Sequence, residues 1–157
     1  MKKSKKYINE MYLKFKALSI NESFARASIA GFCLQLNPSL DELTDIKTAV
    51  SEAVTNSIVH AYPNGKAGDV EAVVKIFEGG VDIEISDFGI GIDNLDQAKQ
   101  PFYTSKPNSE RSGMGFTVME SFMDEVVIIN KPTGGLKVFL TKNILQENAI
   151  NQTKSVR

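Results

Sequence analysis

A chain of 157 residues, 42% hydrophobic and 24% charged, carries enough apolar material for one globular domain with a core. Its formal net charge of −1 supplies no global basic field for nucleic acid, and no apolar run approaches the ~18 residues of a membrane span. The single cysteine, Cys33, excludes an intrachain disulfide and, with no His or Cys cluster beside it, reads as a small core residue.

At the start, MKKSKK is locally basic but lacks the apolar stretch of a signal peptide, so residues 1–10 read as a flexible leader on a cytoplasmic protein. MYLKFKAL, residues 11–18, alternates loosely through Tyr12, Phe15 and Leu18 and predicts a first strand. NESFARASIAGFCLQL predicts a helix with Asn21 as N-cap and Phe24, Ile29, Phe32 and Leu36 as its apolar positions. A second helix is predicted from about Leu40 to Ala61, stopped by Pro63 and Asn64-Gly65. VEAVVKIF and VDIEIS flank Glu78-Gly79-Gly80, which is a hairpin signature. From Gly89 to Ser112 the pattern dissolves into a polar stretch with a short helix near Leu95–Lys99, and GMGFTVMESFMD then resumes as a helix. EVVIIN and GLKVFLTK close the domain as a second hairpin, leaving residues 144–157 as a frayed polar tail. The predicted domain is therefore 11–143, and its element order favours an α+β layer with helices on one face of a largely antiparallel sheet.

In the second helix, Leu43, Ile46, Val50, Val54, Ser57 and Ala61 share one side. Glu52, Asn56 and His60 form a stripe centred about 130° away, at the border of the buried face. Taken alone, that stripe is an ordinary wet edge of an amphipathic helix. Val81, Ile83 and Ile85 share one strand face, and Asp87 continues their parity, directing a carboxylate toward the core. Such a group needs a donor partner or a ligand, so Asp87 either begins an Asp-Gly turn or floors a pocket and accepts from a ligand amino group. Gly89 and Gly91 behind it permit close backbone approach.

Ser112 and two glycines open the apolar helix of RSGMGFTVME, where orphan N–H groups attract phosphate. Neither G-x-G-x-x-G nor G-x-x-x-x-G-K-[ST] is completed, and the DFG at Asp87–Gly89 lacks the catalytic loop of a protein kinase. The intervening loop of about twenty residues is long for a compact domain. It carries Lys99, Lys106 and Arg111 with the hydroxyls of Tyr103, Thr104 and Ser105, which suits either a phosphate-closing lid or a solvated loop.

Their order adds information. A helix with Glu-x-x-x-Asn, a strand ending in Asp-x-Gly-x-Gly, a polar loop and a Gly-x-Gly helix start resembles the GHKL ATP-binding superfamily. EAVTN looks like its N box, DFGIG its first glycine box and GMG its second. VSEAVTNSIVHAY, PFYTSKPNSERSGMGFTVMESFMDEV and NESFAR are similar to the anti-sigma-F factors of spore-forming bacteria, which are serine kinases, over roughly residues 11 to 143. No H-box dimerisation helix precedes the domain, unlike a histidine kinase, and the chain is too short for the further domains of gyrase-like ATPases. The general-stress anti-sigma-B kinase and a nucleotide-gated binding module without kinase activity are the alternatives.

The resemblance implies a Bergerat two-layer sandwich, with a mixed, mostly antiparallel sheet covered on one face by about three helices. It implies ATP and Mg²⁺, with Asn56 ligating the metal, Glu52 as general base and Arg111 aiding transfer. Asp87 would bind the adenine amino group, with Gly89 and Gly91 letting the loop pass the nucleotide. The amides of Gly113, Met114, Gly115 and Phe116 would cradle phosphates, supported by Ser112 and Thr117, with Thr104, Ser105 and Lys106 closing over them. His60 would sit farther off as a structural residue packed on Tyr62. Glu22 and Arg26 would dock both sigma-F and a small anti-anti-sigma protein, phosphorylated on serine, with the kinase acting as a homodimer and touching neither nucleic acid nor membrane.

Overall fold

A computed structural model describes residues 4–99 and 115–145. The first strand, β1, is Tyr7–Lys16, so it begins before Met11, and residues 7–10 belong to the sheet rather than to a flexible leader. Tyr7 pairs with Phe77, and its hydroxyl donates to Asp82 Oδ2 at 2.6 Å. Lys5 Nζ reaches Oδ1 of the same carboxylate at 2.9 Å. Residues 7–10 are exposed on both faces, which is why no alternation marked them as strand.

Helix α1, Asn21–Cys33, also departs from expectation. Ile20 takes the N-cap place, while Asn21 is already helical and donates from Nδ2 to the Lys16 carbonyl at 2.9 Å. The buried positions are Ala25, Ile29, Ala30 and Cys33; Phe32 and Leu36 pack at the margin, and Phe24 is exposed. Ala25, Ile29, Ala30 and Cys33 thus take the buried side of α1, which packs on α2, and the large Phe24 turns outward.

Helix α2, Leu40–His60, follows its local signals closely. Ser39 accepts from the Glu42 amide at 3.1 Å, and Glu42 accepts from the Ser39 amide at 2.9 Å, a reciprocal capping box. Ile46, Ala49, Val50, Ala53, Val54 and Ser57 form its buried face. The remaining elements are β2 (Asp69–Phe77), β3 (Gly80–Asp87), the one-turn α3 (Leu95–Ala98), α4 (Gly115–Phe122), β4 (Glu125–Asn130) and β5 (Leu136–Asn143).

The strands form one sheet in the order β1-β2-β3-β5-β4, and every described pairing is antiparallel rather than mixed. Val70, Ala72, Val74 and Ile76 on β2, Val81, Ile83 and Ile85 on β3, and Val138 and Leu140 on β5 fill the helix-facing side. Each fully buried aliphatic side chain contributes about 1.5–3 kcal/mol, so this layer holds the fold together. Helix α2 packs between α1 and α4, and Lys142 on β5 holds both helices, α2 through Asp45 at 3.0 Å and the end of α4 through the Phe122 carbonyl at 2.8 Å. This arrangement brings the C-terminal end of β3, the second half of α2 and the start of α4 to one end of the sheet.

Candidate functional site

Asp87 ends β3 on the core-facing side and is only 2% exposed, as its parity predicts. Its carboxylate accepts three hydrogen bonds: from Gly89 N and Leu136 N to Oδ1, each at 3.1 Å, and from Ser57 Oγ to Oδ2 at 3.1 Å. A carboxylate offers about four acceptor positions, so one on Oδ2 is left over among the described residues. A buried acceptor with one position to spare is suited to an amino group arriving from a ligand.

Glu52, Asn56 and His60 are all half-buried, at the margin of α2's core face. Glu52 and Asn56 meet the start of α4 at Gly115. A Cβ at Gly115 would lie 2.9 Å from Asn56 Nδ2 and 3.3 Å from Glu52 Oε2, so the missing side chain keeps open the space between them. Phe116 is buried and Thr117 half-buried in the first turn of α4. Thr104, Ser105, Lys106, Arg111, Ser112, Gly113 and Met114 lie outside the described residues. Glu52 and Asn56 therefore converge on the helix start that the sequence marks as a phosphate site, while Asp87 stands apart at the end of β3, bonded to Ser57 one residue beyond Asn56.

The family model described as a histidine kinase-like ATPase domain matches residues 16–142. Anti-sigma F factors from a Geobacillus strain, from Geobacillus thermodenitrificans and from Bacillus cereus are each 54% identical over 90% of this chain and 97% of their own length. The chain belongs to the anti-sigma F factor family.

Solved structures agree on the fold. The RsbU and RsbW domains of Rv1364c from Mycobacterium tuberculosis superpose with TM-score 0.64 at 18% identity, over 87% of this chain and 33% of that one. The catalytic domain of the histidine kinase ThkA gives 0.56 at 14% identity, over 88% and 99%. The α+β sandwich of this anti-sigma F family member is thus shared with kinase ATPase domains of very different sequence.

Glu22 and Arg26 of this anti-sigma F family chain lie on α1 and form an i,i+4 ion pair at 3.2 Å. Glu22 also accepts from the Ser51 hydroxyl on α2, next to Glu52. Both are half-buried, so Glu22 braces one helix against the other instead of standing free in solvent. Arg26 lines a groove of about 640 Å³ between α1 and α2, together with Phe24, Leu34, Leu43 and Lys47.

The structure adds residues the sequence does not flag. Ser57 reads as core, yet its hydroxyl serves Asp87. Gly135, at φ +91°, lies so close to the Asp87 carbonyl that a Cβ would approach it to 2.2 Å. Gly89 is pressed against the Ala61 carbonyl, 2.0 Å from an added Cβ, and Gly91, at φ +71°, faces Asn130. The two glycines of DFGIG are therefore already required by protein neighbours. Tyr62 packs beneath Gly68, and burial moves its hydroxyl pKa upward. Lys131 sits 3.7 Å over the Phe88 ring, and burial lowers its ammonium pKa. These partners lie 26 to 49 residues from the loop they touch, so no local pattern could have revealed them.

Proposed function

We propose that this chain is a cytoplasmic, homodimeric anti-sigma factor that holds sigma-F and, with Mg-ATP, phosphorylates a serine of its anti-anti-sigma antagonist. The observation that carries the reading is the spare acceptor position of buried Asp87, at the same end of the fold as Glu52, Asn56 and the open start of α4. The relatives' name supports sigma-F rather than the general-stress sigma-B as the partner.

In this reading Asp87 accepts the adenine amino group, Gly89 and Gly91 shape the floor beneath it, and the amides opening α4, from Gly113 to Phe116, receive phosphates. Ser112 and Thr117 assist, with Thr104, Ser105, Lys106 and Arg111 supplying donors and positive charge from the preceding loop. Among the described residues no group of three His, Cys, Asp or Glu side chains could enclose a metal. The amide oxygen of Asn56, next to Glu52, instead fits Mg²⁺, a hard cation that keeps several waters and leans on substrate phosphates. Bound there, Mg²⁺ would neutralise phosphate charge. Glu52 accepts the proton of the serine hydroxyl as its oxygen bonds to the γ-phosphorus; the bond to the bridging oxygen breaks and ADP leaves. A module that only binds nucleotide needs no general base, which favours the kinase reading.

Docking is assigned to Glu22 and Arg26 beside the α1–α2 groove. The test combines the purified chain with sigma-F, the anti-anti-sigma protein and labelled ATP. Capture of sigma-F with Mg-ATP and label on a serine are expected, and Glu52→Gln should abolish labelling while leaving ATP affinity within a few-fold. Labelling that survives Glu52→Gln removes the base assignment; no capture and no labelling removes the reading itself.

A further inference from the structure

The segment Phe88–Ile92 leaves β3 without a strand partner; Ile92 at its far end packs against the core, but Phe88 is 50% and Ile90 68% exposed. Burial therefore cannot fix the path of its first half. Hydrogen bonds do. Next to Asp87, the Phe88 amide donates to Tyr62 Oη at 2.8 Å, while the same hydroxyl donates to the Asp69 carbonyl at 2.6 Å. In the middle, Ile90 N reaches the Ala61 carbonyl at 3.0 Å. At the far end, Asn130 holds Ile92 at both groups: Ile92 N donates to Oδ1 at 2.9 Å and Asn130 Nδ2 donates to the Ile92 carbonyl at 2.7 Å. The carboxamide thus presents one donor and one acceptor, as a neighbouring strand would.

We propose that Tyr62 and Asn130 are positioning residues which hold the backbone on either side of Gly89–Gly91, so that the base end of the nucleotide site is formed before ligand arrives. The inference rests on the nucleotide reading above and deepens it. Tyr62 ties the loop to the first residue of β2, and Asn130 ties it to the last residue of β4, so two strands on either side of β3 share in fixing one binding surface at the same end of the sheet. Neither side chain acts on phosphate. Removing either should loosen the grip on the base and leave the grip on phosphates unchanged.

The test uses the full chain with Mg²⁺, measuring affinity for ATP and for inorganic tripolyphosphate in wild type, Tyr62→Phe and Asn130→Ala, with a melting curve for each. Tyr62→Phe keeps the ring packed on Gly68, and Asn130 is exposed, so at least the second variant should fold even if the first does not. Each lost bond should weaken ATP roughly three- to tenfold, with tripolyphosphate unchanged. ATP and tripolyphosphate weakening in step, or ATP affinity unchanged in both variants, overturns the positioning role while the nucleotide reading stands. Wild-type protein that binds no ATP overturns the nucleotide reading and this inference together.

Discussion

Asp87→Asn separates a ligand contact from a structural one, because the internal bonds of the carboxylate survive the change. The asparagine carbonyl oxygen takes the place of Oδ1 and keeps the donors Gly89 N and Leu136 N. The amide nitrogen takes the place of Oδ2 and donates to Ser57 Oγ, whose hydroxyl turns from donor to acceptor. What changes is the position left for the ligand: an acceptor becomes a donor and confronts an amino group. A hydrogen bond to a charged group is worth about 1.5–3 kcal/mol, so ATP affinity should fall roughly 10- to 150-fold. Titration calorimetry with ATP and with tripolyphosphate, beside a thermal melt, reads all three quantities. Unchanged ATP affinity, or a melting temperature that falls with every ligand weakened equally, would mean that Asp87 serves the fold and not the base.

Gly115→Ala should leave stability intact, since the nearest atoms the added methyl meets are the side-chain ends of Asn56 and Glu52, yet lower phosphotransfer about 10- to 100-fold by displacing both; a rate equal to wild type sinks the idea. Gly135→Ala combines a φ of +91° with a Cβ 2.2 Å from the Asp87 carbonyl, so urea unfolding should show a loss above about 2 kcal/mol, and a neutral result would contradict this packing. At Asp82, burial pulls the pKa up, but bonds from Lys5, Tyr7 and Thr141 outweigh it and leave a net lowering. Its stabilising contribution is therefore present above its unfolded value and lost as pH falls through the lower folded one. The stability gap between wild type and Asp82→Asn should be steady above about pH 5 and shrink below about pH 4; a gap independent of pH would refute it. Tyr7, pushed up to about 12 chiefly by its bond to Asp82, should titrate late in an absorbance scan of the folded protein and later than in Asp82→Asn.

Local chemistry made much of this molecule legible. Ser39 and Glu42 start α2 and Pro63 follows its end, so its range could be read to within a residue. The β2–β3 and β4–β5 hairpins were readable because their glycine turns adjoin alternating strands, and Asp87 because parity reaches it unbroken from Val81. Failures came where long-range packing overrode pattern. Phe24 looked like core because it is large and apolar, but α1 buries Ala25, Ile29, Ala30 and Cys33 and leaves Phe24 outside. Residues 7–10 looked like leader because the open edge of the sheet asks for no apolar alternation. The bonds from Ser51 to Glu22, Tyr62 to Phe88 and Asn130 to Ile92 link distant positions, and no spacing rule encodes them.

The contact between Gly89 and the end of α2 bears on how related chains should be compared. Position 89 has no room for a side chain because the Ala61 carbonyl occupies it, and position 135 is closed by the Asp87 backbone in the same way. A descendant that had abandoned nucleotide would still need glycine at both places to fold. Glycine retained at these positions is thus a fossil of architecture. Under the proposed assignment of Glu52 as the base, position 52 is the one to read for activity.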